Sequence, residues 1–280
     1  MNTSENIKNL VREKYSEIAM QDKQSNQSSC CGASGCSTEV YSIMADDYSK
    51  MKGYQPDADL GLGCGLPTQF AKIKKGDVVI DLGSGAGNDC FIARAEAGES
   101  GKVIGIDMTQ AMIDRARANA EKLNFHNVEF RLGEIEKLPV TAEQADVVVS
   151  NCVLNLVPDK QKAFSEIYRV LKPGGHFSIS DIVMEGVFPE KILQTAEMYA
   201  GCISGAVQKD EYLSIIRRQG FENVTIQKDK TVTVPDDILS NYLTTEEISQ
   251  YKSSGLKIYS ITVYAQKPKE SCCNKDTCCK

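Results

Sequence analysis

Cysteine is the residue in this sequence best able to do chemistry. Three cysteines, Cys30, Cys31 and Cys36, stand in the polar stretch SSCCGASGC (28–36), and four more in SCCNKDTCC (271–279). The other four of the eleven, Cys64, Cys90, Cys152 and Cys202, lie far apart in the interior of the chain. Thiolates serve as nucleophiles, as redox groups and as ligands for soft metals and metalloids. There are only two histidines, His126 and His176, so a His-based triad or a His-rich metal site has little to build from. The interior spacings do not match the C-x₂-C pairs of zinc ribbons and fingers. Cys90, in NDCFIA, sits on an apolar helix face and reads as a small buried hydrophobe. Cys64 (GLGCGLP), Cys152 (SNCVLNL) and Cys202 (YAGCISGA) are instead flanked by small or polar residues. Three thiolates would suit a soft trivalent element, which takes three ligands in a pyramid and keeps its lone pair free.

The second chemical signal is DLGSGAGND (81–89), in which Gly83, Gly85 and Gly87 are spaced G-x-G-x-G. Glycine permits positive φ and lets a ligand approach bare backbone. The dinucleotide fingerprint is G-x-G-x-x-G with a helix N-terminus facing a pyrophosphate. Here the third glycine comes one residue early, and Asp81 ends the preceding apolar run. Asp107 closes the next run, where a carboxylate can accept both ribose hydroxyls; a dinucleotide site shares that feature, so Asp107 alone does not discriminate.

These groups need a scaffold, and the hydrophobic pattern supplies one. Short apolar runs at 78–83, 102–107, 128–133, 146–151 and 176–182 read as buried parallel strands. Between them, helices are predicted over 87–97, from Thr109 to about Leu123, and over 159–171, where KPGG (172–175) ends the pattern. This alternation predicts an α/β fold with a doubly wound, mostly parallel sheet. An amphipathic helix is predicted over 5–19 and another over 38–51, on either side of a polar Ser/Gly/Cys loop. Beyond about residue 185 the rhythm changes. Helices are expected at 189–200, 208–219 and 236–252, and two β-runs, 223–234 and 257–267, can pair antiparallel. Those runs either extend the main sheet or belong to a smaller α+β C-terminal unit.

Composition narrows the class. The net charge of −6 argues against a nucleic-acid partner. No apolar run reaches the ~20 residues that span a bilayer, and the start of the sequence lacks a signal-peptide pattern. A cytoplasmic location follows as the expectation, with thiols kept mostly reduced. The odd cysteine count also disfavours a disulfide framework.

Together these motifs carry a resemblance. The D-x-G-x-G-x-G loop resembles the S-adenosylmethionine (SAM) loop of class I methyltransferases; GEIEKLP (133–139) resembles that fold's adenine-contact segment, and LKPGG (171–175) its turn before strand five. GLGCGLP, GIDMTQAMI, SNCVLNL and YAGCISGA, in this order, resemble the arsenite methyltransferases over roughly residues 5–265. The resemblance implies that Cys64, Cys152 and Cys202 hold As(III) and that an N-terminal thiol takes part in a redox step, with Cys31 taken as the candidate beside Cys30 and Cys36. It implies SAM contacts at Asp81, Gly83, Gly85, Gly87, Asp107, Met108, Ile135, Glu136 and Asn151. Relatives often carry an aromatic two residues before the first core cysteine; this chain has Leu62 there, leaving Tyr48 or Tyr54 to replace it. The implied organisation is N-terminal helices and cysteine loop (1–55), SAM-binding domain (56–184), C-terminal substrate-site unit (185–267) and a disordered Cys-rich tail (268–280). Arsenite or its thiol conjugates would be the substrate, and thioredoxin or glutathione the reductant. The other readings are a SAM-dependent methyltransferase of an organic small molecule and a thiol-rich metalloid-binding protein.

Overall fold

The computed structural model describes residues 4–21, 46–187 and 205–269. Cys30, Cys31, Cys36, Cys202, the four C-terminal cysteines and the helix expected at 189–200 lie outside the described residues.

The predicted alternation is realised as β1 (Val78–Leu82), β2 (Lys102–Asp107), β3 (Val128–Leu132), β4 (Ala145–Asn151) and β5 (Leu171–Glu185). All five run parallel, in the order β3-β2-β1-β4-β5. β1 and β4 are buried along nearly their whole length, as a central strand covered on both faces requires. Of the two placements open to the late β-runs, the structure shows the first. β7 (Lys257–Gln266) pairs antiparallel with β5, and β6 (Glu222–Val232) pairs antiparallel with β7, completing one seven-stranded sheet.

Helices cover both faces. α1 (Ser4–Ala19) buries Val11, Ile18 and Ala19. A single turn, α2 (Pro67–Phe70), precedes β1, and α3 (Asn88–Ala97) starts directly after the glycine loop. α4 (Gln110–Lys122) presents Met112, Ile113, Ala116 and Ala120 to the core at helical spacing. α5 (Lys160–Val170) is capped by the Asp159 side chain, which accepts the Lys162 N–H. α6 (Lys209–Arg218) buries Tyr212, Ile215 and Ile216.

Two predicted helices are corrected. The segment expected at 236–252 is two helices, α7 (Asp236–Leu239) and α8 (Thr245–Ser253). Thr244 and Glu247 form a reciprocal capping box that starts α8 afresh, a local signal that outweighs the continuous pattern. The described part of the expected 38–51 helix, from Asp46 onward, is turn rather than helix; Asp46 is drawn out to Lys228 (2.6 Å) and Lys230 (3.3 Å) on β6.

Strand order reverses between β1 and β4. In open α/β sheets the crevice beyond the carboxyl ends of the strands at such a switch point is where ligands bind. The glycine loop leaves β1 there, and Cys152 leaves β4.

Candidate active site

A cleft opens at this switch point. Its floor is the glycine loop. Gly83, Gly85 and Gly87 all have left-handed backbones, with φ of +67°, +50° and +101°. At Gly83 a side chain is excluded twice over, because a Cβ would lie 2.4 Å from Val153 Cγ2. At Gly85 the space is open toward the cleft, so the backbone itself is exposed to a ligand. The Gly83 and Ser84 N–H groups donate to the Ile106 carbonyl (2.7 and 3.0 Å), which fixes the loop onto the end of β2. Ser84 lines the cleft, and its hydroxyl is buried with no hydrogen-bond partner among the described residues. A buried unpaired hydroxyl is costly unless a ligand meets it.

Asp107 accepts the Gly85 N–H at Oδ2 (3.0 Å) and the Thr109 N–H at Oδ1 (2.8 Å). Each carboxylate oxygen has a second lone pair for a diol. Burial raises the Asp107 carboxyl above the usual range, and the backbone bonds hold it back. Asp81 is also buried and pushed well up, first by desolvation and then by repulsion from Asp89. The Cys90 thiol donates to it at 3.2 Å, so Cys90 is buried as expected but hydrogen-bonded rather than simply apolar.

Met108, Ile135, Glu136 and Asn151 all line the same cleft, so every residue expected to contact the cofactor either lines it or, as with Gly87, shapes the loop beneath it. Glu136 is tied to the Asp159 N–H (3.2 Å) and ion-paired with Lys8 from α1. Lys8 also reaches Glu134 at 2.8 Å. Lys8, Val11 and Tyr15 therefore bring α1 over the cleft, a role that its helical periodicity gave no sign of.

Asn151 connects the cofactor side to the thiols. Its Oδ1 accepts the Cys64 N–H (3.0 Å), and its Nδ2 donates to the Gly65 carbonyl (2.9 Å), to Tyr48 and to Asp89 (3.3 Å). Cys152 follows with a left-handed backbone (φ +61°), rare for a residue with a side chain, and donates its N–H to the Ser180 carbonyl (2.7 Å). Cys64 and Cys152 are both buried in one apolar cluster with Leu156, Ile182, Met184 and Ala206. Ala206 lies four residues past Cys202. The three expected thiols do not form a described set, because Cys202 lies outside the described residues.

Of the two tyrosines considered in place of the missing aromatic, Tyr48 lines the cleft. Its hydroxyl donates to Asp89 (2.8 Å), and burial pushes its pKa well up. Tyr54 instead donates to Asp59 (2.9 Å). Asp89 had no assigned role, although it closes the quoted DLGSGAGND; an acid in the first turn after a glycine loop is the signal that would have found it.

Comparison with known proteins agrees with this geometry. Residues 73–220 match the family model of a methyltransferase domain. The chain is 40% identical to the arsenite methyltransferase of Halobacterium salinarum, over 94% of this chain and 67% of that one. This chain belongs to the arsenite methyltransferase family. Within the family it is also 39% identical to the Mus musculus arsenite methyltransferase, over 57% of this chain and 44% of that one. The crystal structure of an arsenic(III) S-adenosylmethionine methyltransferase from Chlamydomonas reinhardtii matches with a TM-score of 0.64 at 30% identity, covering 84% of this chain and 75% of that one. The chain thus spans two thirds of the archaeal family member and under half of the mouse one. The fold is that of the class I, SAM-dependent methyltransferases, and the left-handed glycine loop, the unpaired Ser84 hydroxyl and the Asp107 carboxylate fit an adenosyl cofactor with a polar amino-acid end.

Proposed function

We propose that this protein methylates trivalent arsenic, with Cys64, Cys152 and Cys202 as the thiolate ligands and SAM as the methyl donor. The observation that carries this reading is the convergence of Cys64 and Cys152. They are 88 residues apart in sequence, yet they share one buried cluster that Cys152 joins to the cofactor cleft.

The protein's residues hold and orient. Asn151 fixes the Cys64 backbone, and the Ser180 carbonyl fixes that of Cys152, so neither loop has to be ordered when substrate arrives. The apolar cluster around the thiols excludes water and keeps arsenic on sulfur. Bound in the cleft, SAM would supply an electrophilic methyl group on a sulfonium, and the thiolates would present trivalent arsenic to it with its lone pair free. No proton leaves the nucleophile, so the site needs no general base. Transfer takes arsenic from the trivalent to the pentavalent state. A pair of cysteine thiols returns two electrons by closing a disulfide, with Cys31, Cys30 or Cys36 contributing one partner. Thioredoxin or glutathione then reopens the disulfide by exchange. This cycle needs reducing surroundings, which is why we place the protein in the cytoplasm. Among the described residues no helix is long and apolar enough to cross a membrane.

The test is arsenite-dependent consumption of SAM, with arsenic speciation of the product. Cys64→Ser and Cys152→Ser should each abolish arsenite binding while leaving SAM binding intact. Undiminished arsenite binding in both variants would overturn the three-thiolate site.

A further inference from the structure

The residue left without a role in that mechanism is Asp89. It is half-buried in the first turn of α3, on the cleft wall between the glycine loop and the thiol loops. Its Oδ2 accepts from Tyr48 OH (2.8 Å) and from Asn151 Nδ2 (3.3 Å), and its Oδ1 from Thr68 Oγ1 (3.3 Å). Through Asn151 it is one side chain from the Cys64 amide. It therefore stands where the cofactor side of the cleft meets the thiol side.

The charge of this wall is one-sided. Asp59, Asp81, Asp89 and Asp107 all line the cleft. The hydrogen bonds reaching Asp81, Asp89 and Asp107 come from a thiol, hydroxyls, a side-chain amide and backbone N–H groups, and none of these donors carries a charge. Carboxylates shielded from water and hydrogen-bonded by uncharged donors, as Asp81, Asp89 and Asp107 are among the described residues, raise the energy of the empty site, and a cationic ligand relieves it. Ser84 lines the same cleft, and its buried hydroxyl has no hydrogen-bond partner among the described residues, which independently marks the wall as built for a polar ligand.

We propose that Asp89 is the counter-charge of the cofactor's sulfonium and makes the cleft prefer SAM over S-adenosylhomocysteine, whose sulfur is neutral. The proposal rests on the reading of the cleft as a SAM site. Both ligands carry the same ammonium and carboxylate, so those groups cannot discriminate between them. The sulfonium is the one charge that methyl transfer removes, and a carboxylate beside it favours release of product over substrate. Burial raises the Asp89 carboxyl to about 6, while Tyr48, Asn151 and Thr68 lower it and Asp59 raises it. Asp81, on β1, faces it as a second carboxylate. Lys8, across the cleft, is committed to Glu134 and Glu136.

The experiment is isothermal titration calorimetry of the full chain with SAM and with S-adenosylhomocysteine from pH 5 to 7, in two buffers of different ionisation enthalpy. Since a cation selects ionised Asp89, the ratio of SAM to S-adenosylhomocysteine affinity should rise about tenfold over this range, with proton release on SAM binding near pH 6. In Asp89→Asn the ratio should be low and flat. A flat ratio in the unmodified protein overturns the proposal, and that measurement does not depend on the variant folding. So does an Asp89→Asn protein that binds both ligands more weakly in proportion, since a purely structural role predicts that result. Failure of SAM to bind at any pH would instead overturn the reading of the cleft itself.

Discussion

The side chain of Asn151 clasps the backbone of Cys64, accepting its N–H at 3.0 Å across 87 residues of sequence. The same amide holds the Gly65 carbonyl at 2.9 Å, so one side chain at the end of β4 sets the position of the first thiol. Asn151→Ala removes the acceptor of the Cys64 N–H, at about 1–3 kcal/mol, while the Gly65 carbonyl keeps the Tyr48 hydroxyl at 3.1 Å. The expected outcome is a loss of arsenite affinity of about tenfold or more, read by direct arsenite titration. Unchanged affinity would show that the thiol loop holds itself.

Gly83 and Gly85 should respond differently to the same substitution. Gly83→Ala adds a Cβ at 2.4 Å from Val153 on a backbone with φ of +67°. Strain plus overpacking of about 2 kcal/mol or more lowers Tm by several degrees. Gly85→Ala meets open space, so its thermal cost is the left-handed backbone alone, about 1 kcal/mol. Its larger effect should be on SAM affinity, because the added methyl occupies the surface that the cofactor approaches. Calorimetric scans and SAM titrations of the two variants separate these outcomes.

Lys8 ties α1 to the cleft through Glu134 and Glu136, and at 14% and 7% exposure the Lys8 and Glu136 side chains are shielded from solvent. Lys8→Met removes the cation and leaves Glu136 with the Asp159 N–H alone as its described partner. Dissociation of SAM should accelerate several-fold in the variant. Raising salt should change release little in either protein, because a pair shielded from solvent is only weakly screened. Stopped-flow displacement measures the rates; an unchanged rate in Lys8→Met would place the hold of α1 on the cleft elsewhere.

Asp181 on β5 provides a stability test. Burial raises its carboxyl to about 7, against the opposing effects of Lys160, the Tyr212 hydroxyl (3.1 Å) and the Ile182 N–H. A carboxyl whose folded pKa lies above its unfolded value of about 3.9 binds its proton more tightly in the native state. Its contribution to stability is therefore full below pH 4 and is lost as pH rises toward 7, by at most about 1.4 kcal/mol per pH unit. Asp181→Asn should remove that slope, so the variant loses less stability than the unmodified protein between pH 4 and 7. Denaturant melts across that range check the difference.

The sequence was most legible where a function depends on a local pattern. Three glycines at alternate positions after an apolar run specify left-handed backbone and a bare surface, and the structure has both. Strands β1, β2 and β4 were readable because a central parallel strand must be apolar on both faces. The capping box at Thr244 was equally local, but a continuous apolar pattern across 236–252 concealed it.

Other features depend on contacts between distant residues, which no window of sequence contains. The choice of β7 as partner of β5 is a pairing across some eighty residues. The position of α1 over the cleft is set by Lys8 meeting Glu134 and Glu136 more than 120 residues away. The sequence by itself determined the cofactor loop and the parallel core, because each follows from residue type and spacing along the chain. Only the tertiary structure decided that Asn151 joins Cys64 to Asp89 and that Cys64 and Cys152 share one buried cluster. Such contacts exist only once the sheet brings the ends of β1 and β4 side by side at the switch point.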